Sequence, residues 1–230
     1  MQYKKIVEGI FLKRPNRFIA QVLIDGKEET VHVKNTGRCR ELLIQGVKVI
    51  LEDCSSNLNR KTRYSLIAVW KGDMLVNMDS QVPNQVVYEA LSKNMIKEFT
   101  DLDFIKREVS YENSRFDIYF EDESTKGFIE IKGVTLENDG VAKFPDAPTE
   151  RGTRHVHEMI DAVNHGYKGY VFFLIQMKGP KVFKLNWEMD KEFSEAVRLA
   201  SKKGVEILAY DSVVGADYIT LGKPIRIDLE

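Results

Sequence analysis

The sequence predicts an α/β (α+β) protein in two parts, a small β-barrel over residues 1–80 and a mixed domain over 81–230 with the element order αβββαβ. Three observations predict it. Up to Lys71 the chain is a succession of short β-rich runs broken by turn signals. Beyond Gln81 the apolar period alternates between 3.6 and 2, giving helix, three strands, helix, strand. The charge divides at the same place: residues 1–71 hold 14 Lys and Arg against 7 Asp and Glu, net +7, and 72–230 hold 20 against 28, net −8. Cutting at residue 80 instead leaves +5 and −6. Such asymmetry points to a nucleic-acid-facing segment beside something else.

In the first part the strands are IVEGIFLKR, RFIAQVLID, EETVHVKN, VKVILEDC and TRYSLIAVWK, separated by RPN, DGKE and QG. A short helical piece, GRCRELL, is expected near Gly37 to Leu43. Five close strands with one short helix is the pattern of an OB barrel, a frequent nucleic-acid binder, and an SH3-like barrel reads much the same. Lys34, Arg38, Arg40, Arg60, Lys61 and Arg63 fall in or beside its loops and are candidates for phosphate contact.

In the second part VPNQVVYEALSKNMIKEF reads as a helix, with Asn84 at its N-cap and Val87, Leu91 and Met95 in one stripe. Strand FIKREVSY follows, then a hairpin over 114–134, SRFDIYFEDESTKGFIEIKGV, then a long loop, LENDGVAKFPDAP. A second helix, TERGTRHVHEMIDAVNHG, carries an apolar stripe at Val156, Met159, Ile160 and Val163 and stops at Gly166. YVFFLIQ reads as a buried strand with KVFKLNW as its hairpin partner. A third helix, Asp190 to Lys203, ends at Gly204, and strand VEILAYD and a closing hairpin, ADYITLGKPIRIDL, complete the chain.

The hairpin carries the chemistry. Side chains of a strand alternate faces, so Arg115, Asp117 and Tyr119 share one face and Phe116, Ile118 and Phe120 the other. On the second strand Phe128, Glu130 and Lys132 share a face. If Phe120 pairs with Gly127, Asp117 falls opposite Glu130. Like charges opposite each other destabilise a sheet, and a cation between them removes the penalty. The bland reading is a surface hairpin with an ordinary cross-strand ion pair; two acids on one face weigh against it.

The string D-x12-E-x-K resembles the catalytic hairpin of the PD-(D/E)XK nucleases, whose core also runs αβββαβ. The resemblance implies a metal, Mg2+ or Mn2+, held by Asp117 and Glu130 with the carbonyl of Ile131, because hard oxygen donors suit such ions. Lys132 would position or deprotonate the attacking water. Glu89, on the preceding helix, is the candidate further acid, and Glu108 a rival. Arg115 is placed to pair with Asp117 or to touch phosphate. Arg151, His155 and Glu158 lie at i, i+4 and i+7 on the second helix, where Arg151 and His155 could border the site and bind phosphate. His155 and His157 cannot share a helix face, which argues against a histidine zinc site.

Taken together, NTGR (35–38), PNQVVYEAL, SRFDIYF, IEIKGVTL and FPDAPTERGTRHVHEM resemble the sugar fermentation stimulation protein A family, and the likeness runs to the GVEILAY strand. The resemblance implies a DNA-binding protein with an OB-like domain, a nuclease-like domain and a link to sugar, especially maltose, utilisation. Two positions depart from the family pattern: Pro148, where a small apolar residue is usual, and Gly133, where serine is usual. Neither is a candidate ligand.

The alternatives are thus a metal-dependent phosphodiesterase on DNA, a non-catalytic DNA-binding regulator, and a metal-binding scaffold for a protein partner. No helix-turn-helix reader is evident, so DNA without sequence specificity is the expected partner. No run of 18 apolar residues spans a membrane, and the start lacks a cleavage signal; a cytoplasmic location is expected. Cys39 and Cys54 read as reduced thiols, a disulfide between them remaining the alternative.

Overall fold

The computed structural model describes residues 1–35 and 37–230; Thr36, within the NTGR segment, lies outside the described residues. The barrel is built from β1 (Ile6–Asn16), β2 (Ile19–Ile24), β3 (Lys27–Val33), β4 (Lys48–Asp53) and β5 (Tyr64–Lys71). Strand order β3-β2-β1-β4-β5 closes through β3 pairing with β5, His32 beside Ser65. A sixth strand, β6 (Met74–Asn77), which the sequence reading did not contain, extends the sheet from β5. The expected helix at GRCRELL is absent: Arg40 to Leu42 form turns, and Cys39 takes φ 45°. Arg14 organises this segment instead, its guanidinium donating to the carbonyls of Arg17, Asn35, Gly37 and Arg38 at 2.6–2.8 Å.

The second part is a six-stranded sheet between helices. Its strands are β7 (Phe104–Tyr111), β8 (Ser114–Glu121), β9 (Lys126–Val134), β12 (Lys168–Ile175), β14 (Glu206–Val214) and β15 (Ile219–Pro224), in the order β15-β14-β12-β9-β8-β7. Helix α1 (Val82–Leu91) covers one face; α2 (Glu150–Asn164) and α3 (Lys191–Lys202) cover the other. Phe172 and Phe173, adjacent on β12, are fully buried in opposite layers. Helix α1 starts earlier than expected. Gln81 is the N-cap, Pro83 sits in the first turn, and Asn84 is inside the helix rather than capping it. It also ends earlier, at Leu91, which leaves Met95 half-exposed and off the stripe.

The segment expected as a long loop forms a hairpin, β10 (Leu136–Asn138) and β11 (Val141–Phe144). With β13 (Val182–Leu185) and β16 (Arg226–Asp228) it makes a second, four-stranded sheet. So β13 pairs with β11 and β16, not with β12, and the C-terminal strands do not pair with each other: β15 lies on β14 and β16 on β13. Both cysteines are free thiols, and burial pushes the Cys39 thiol up to about 12. No helix among the described residues is long and apolar enough to cross a membrane.

Candidate metal centre

The hairpin turn is set by Asp122, whose Oδ1 accepts the amides of Ser124 and Thr125 at 2.9 and 2.7 Å. From there β8 and β9 pair in the expected register, Phe120 with Gly127 and Ile118 with Ile129, and the ladder stops there. The next β9 donor on that edge is the Ile131 amide. Asp117 Oδ2 accepts it at 2.7 Å, and Asp117 Oδ1 accepts Asn84 Nδ2 at 2.6 Å. In an extended residue the N–H and C=O point the same way, so the Ile131 carbonyl also faces this opening.

The strands change sides at the same place. Ile118 and Phe120 pack in the α1 layer, as expected of one face. Phe116 does not join them; it packs in the α2 layer, its ring 5.0 Å from Phe128. On β7 the switch falls at Glu108, which has φ 55° and sits between the pairs Arg107–Ile118 and Val109–Phe116. The register is unshifted there, so it is the left-handed backbone of Glu108 and not a bulge that marks the change of side. It places Asp117 at the seam of the two layers.

Glu130 keeps the regular alternation of β9 and faces α2. It is 3% exposed. Its Oε1 accepts both Lys132 Nζ and His155 Nδ1 at 2.7 Å, while its Oε2 is buried with no partner. His155 Nε2 accepts Arg151 Nε at 3.4 Å, which assigns the ring proton to Nδ1. Burial pushes the Asp117 carboxyl up to about 6, and the Glu130 charge adds to it against the pull of the Ile131 amide, Lys132 and Asn84. Burial also acts against ionisation of Glu130, but Lys132 and His155 outweigh it and hold its carboxyl below the usual range. Two acids of one site are thereby driven apart, a common mark of functional positions.

These residues fit a divalent cation. An unpaired buried anionic oxygen costs about 1–3 kcal/mol or more. A hard ion bound by Glu130 Oε2, Asp117 and the Ile131 carbonyl would remove that cost. Among the described residues no cluster of three or more His, Cys, Asp and Glu is assembled as a metal site. Two carboxylates and a carbonyl are the sparse, all-oxygen donor set that Mg2+ tolerates, since it retains several waters.

The other predicted residues are scattered. Glu89 binds the amino-terminal nitrogen at 2.7 Å and Gln85 Nε2 at 2.8 Å, and is joined to neither Asp117 nor Glu130. Glu108 is exposed and 3.7 Å from Arg115, which therefore pairs with Glu108 and not with Asp117. His155, a candidate for bordering the site and binding phosphate, is buried against Glu130, leaving Arg151 exposed behind it. On the barrel, Lys34 pairs with Asp79 at 2.8 Å and Arg63 with Asp53 at 2.8 Å. Arg60 donates to Ser65 Oγ and Lys61 is exposed. Arg38 and Arg40 line a groove with Lys13, Arg14 and Arg17. Asn84 was missed as a site residue because a polar residue at a helix start reads first as a cap. The buried tie of His155 to Glu130 had only its place in the i, i+4 line as a signal.

Fold and hairpin together define a two-part protein, an OB-like barrel joined to a sheet-and-helix α/β domain. The chain belongs to the sugar fermentation stimulation protein (SfsA) family. Residues 81–218 match the family model described as the sugar fermentation stimulation protein RE domain, and 12–78 match the SfsA N-terminal OB domain. A sugar fermentation stimulation protein homolog of Alkaliphilus oremlandii is 66% identical over 99% of both chains. A homolog from Clostridium botulinum (strain Kyoto / Type A2) is 54% identical over 98% of both. The solved structure of Pyrococcus furiosus SfsA in complex with Ca2+ superposes with a TM-score of 0.90 at 26% identity, covering 99% of this chain and 98% of that one.

Proposed function

We propose that this protein is a divalent-metal-dependent phosphodiesterase acting on DNA. The observation that carries the reading is the buried, unpartnered Glu130 Oε2 beside Asp117, with Lys132 on the same face. The Ca2+ in the Pyrococcus furiosus relative supports a divalent ion in this family. Asp117, Glu130 and the Ile131 carbonyl would hold Mg2+ or Mn2+. Such an ion, when bound, offsets phosphate charge and acidifies a water. His155 and Lys132 fix Glu130 through Oε1, leaving Oε2 as the donor. Lys132, which donates to Glu130 Oε1, would orient the attacking water or meet the charge that develops on the phosphate. The basic barrel holds the strand by its phosphates, without reading bases.

The test is incubation of the purified protein with single- and double-stranded DNA and RNA, with Mn2+ or with EDTA. Cleavage is expected with Mn2+ only, lost in Lys132→Ala and in Asp117→Ala, with DNA binding by Lys132→Ala nearly unchanged. The second reading, a non-catalytic DNA-binding regulator of sugar metabolism, is favoured by the name its relatives carry. DNA binding with no metal-dependent cleavage of any nucleic acid would establish it in place of the first.

A further inference from the structure

Phe18 stands at the β1–β2 turn of the barrel with 46% of its surface exposed, an unusual place for a large apolar ring. The Arg17 guanidinium lies over its ring, 4.7 Å from the centroid. The chain holds the ring there by local bonds, since Asn16 Oδ1 accepts the amides of Phe18 and Ile19 at 2.9 and 3.1 Å, and the Phe18 carbonyl accepts the Val33 amide. Phe18 forms one wall of a groove whose other walls are the end of β3, at His32 and Lys34, and the β4–β5 loop, at Arg60 and Lys61.

The groove is cationic. Among the described residues, Arg60 and Lys61, which line it, have no carboxylate within ion-pair distance, and neither has Arg17, which lies over the Phe18 ring and lines the neighbouring groove. Lys34 is the exception, held by Asp79 and lying 3.9 Å from Glu52. The field is felt by His32, which burial and the neighbouring Arg60 and Lys34 hold below the usual histidine range. Ser80 and Gln81 also line the groove. Gln81 caps α1, and Asn84, three residues on and so about 5 Å along the helix, donates to Asp117. An aromatic ring and cations therefore line one groove, and the helix that Gln81 caps carries Asn84 to Asp117.

We propose that this groove is a binding site for single-stranded nucleic acid, with one unpaired base stacked on Phe18 and the backbone led over Lys61, Arg60 and Lys34 towards the hairpin. A duplex cannot satisfy it, because its bases are already stacked on each other and offer no free face to the ring. The ring selects an unpaired strand by stacking, and Arg17 closes over it. The inference rests on the phosphodiesterase reading and names its substrate class.

The test measures binding by the full chain in EDTA, so that cleavage plays no part. Fluorescent oligothymidylate and oligouridylate of about 20 nucleotides are compared with a DNA duplex of the same length. The wild type is expected to bind a single strand more tightly than the duplex, and the tighter of the two single strands identifies the nucleic acid. Phe18→Ala is expected to weaken single-strand binding about tenfold and duplex binding by less than about twofold. In Phe18→Trp, the new indole is expected to be quenched by the single strand and not by the duplex. Equal loss on both substrates, no loss, or an unquenched indole would overturn the proposal while leaving metal-dependent cleavage standing. Phe18-dependent single-strand binding without cleavage under Mn2+ would uphold it and remove the enzyme reading.

Discussion

With no cation present, the buried Asp117 carboxyl holds its proton to higher pH than an ordinary aspartate. Its carboxyl moves from an ordinary 3.8 to about 6 because burial and the Glu130 charge disfavour ionisation. A group whose folded value is raised contributes stability below its unfolded value and loses it as pH rises through the folded one. Metal-free protein should therefore lose on the order of 3 kcal/mol from this group between about pH 4 and pH 6. Urea melts in EDTA should show Asp117→Asn more stable than wild type at pH 7.5, the gap closing near pH 4. A constant gap would mean that Asp117 is not strained by its surroundings. Asp117, Glu130 and Lys132 were legible in the sequence because their types and a period of 2 suffice to bring them together. Asn84 and His155 were not, because their roles depend on which helix packs over which strand, and a lone sequence carries no sign of that. Gly133 is accounted for only in three dimensions: a Cβ there would come within 2.5 Å of Gln176 Oε1 and 2.7 Å of Pro83. For Pro148, exposed just before the α2 cap, the structure offers no explanation.

The helices were read well where their caps are written locally. Thr149 caps α2 by accepting the Gly152 amide, and Asp190 caps α3 by accepting the Phe193 amide at 3.0 Å. Asp190 also accepts the Thr149 amide through its second oxygen, at 2.8 Å, so one carboxylate serves two helix starts. Asp190→Ala should cost about 2 kcal/mol in chemical denaturation, roughly twice the cost of Thr149→Ala. Equal losses would show that the bond to Thr149 is idle. The strands of the small second sheet were misread for a different reason. β10 and β11 are only three and four residues long and read as loop, while β13 and β16, equally short, pair across large sequence separations, so hairpin logic assigned them to their nearest neighbours. The side change of β8 was illegible because it depends on the backbone of Glu108, a residue type that rarely adopts positive φ.

At the scale of the molecule, barrel and sheet are tied by buried amides. Gln176, 1% exposed, donates to Asn77 Oδ1 and to the Asp79 carbonyl, and its own carbonyl accepts the Asn77 amide. Asn77 in turn donates to the Tyr3 hydroxyl at 2.8 Å. Gln176→Ala strands the Asp79 carbonyl and leaves Asn77 Oδ1 with the Asp79 amide alone, at a cost of about 2 kcal/mol. The two tryptophans separate the parts, Trp70 on β5 and Trp187 after β13. Single-tryptophan variants should report coincident unfolding in an otherwise wild-type chain and separate transitions once Gln176 is replaced. Coincident transitions in both would mean that the shared apolar core alone couples the parts. The charge division of the sequence also acts at this scale. DNA affinity should fall steeply with salt, and replacing Arg60, Lys61 and Arg63 together should weaken it about equally across sequences and flatten the salt slope. Unchanged binding by the triple variant would exclude the loop as the phosphate grip.

The crossing of β8 at Asp117 has a consequence for the lifetime of the protein. A cation seated there would rivet both layers of the sheet at a single point, because the strand belongs to the α2 side before the rivet and to the α1 side after it. Its occupancy at a hundredfold excess over Kd would add about 2.7 kcal/mol to the whole fold. Digestion by a broad protease should then slow on Mn2+ addition at sites in both layers together, and Glu130→Gln should abolish that protection. Cells poor in divalent ions would hold not only an idle protein but a short-lived one.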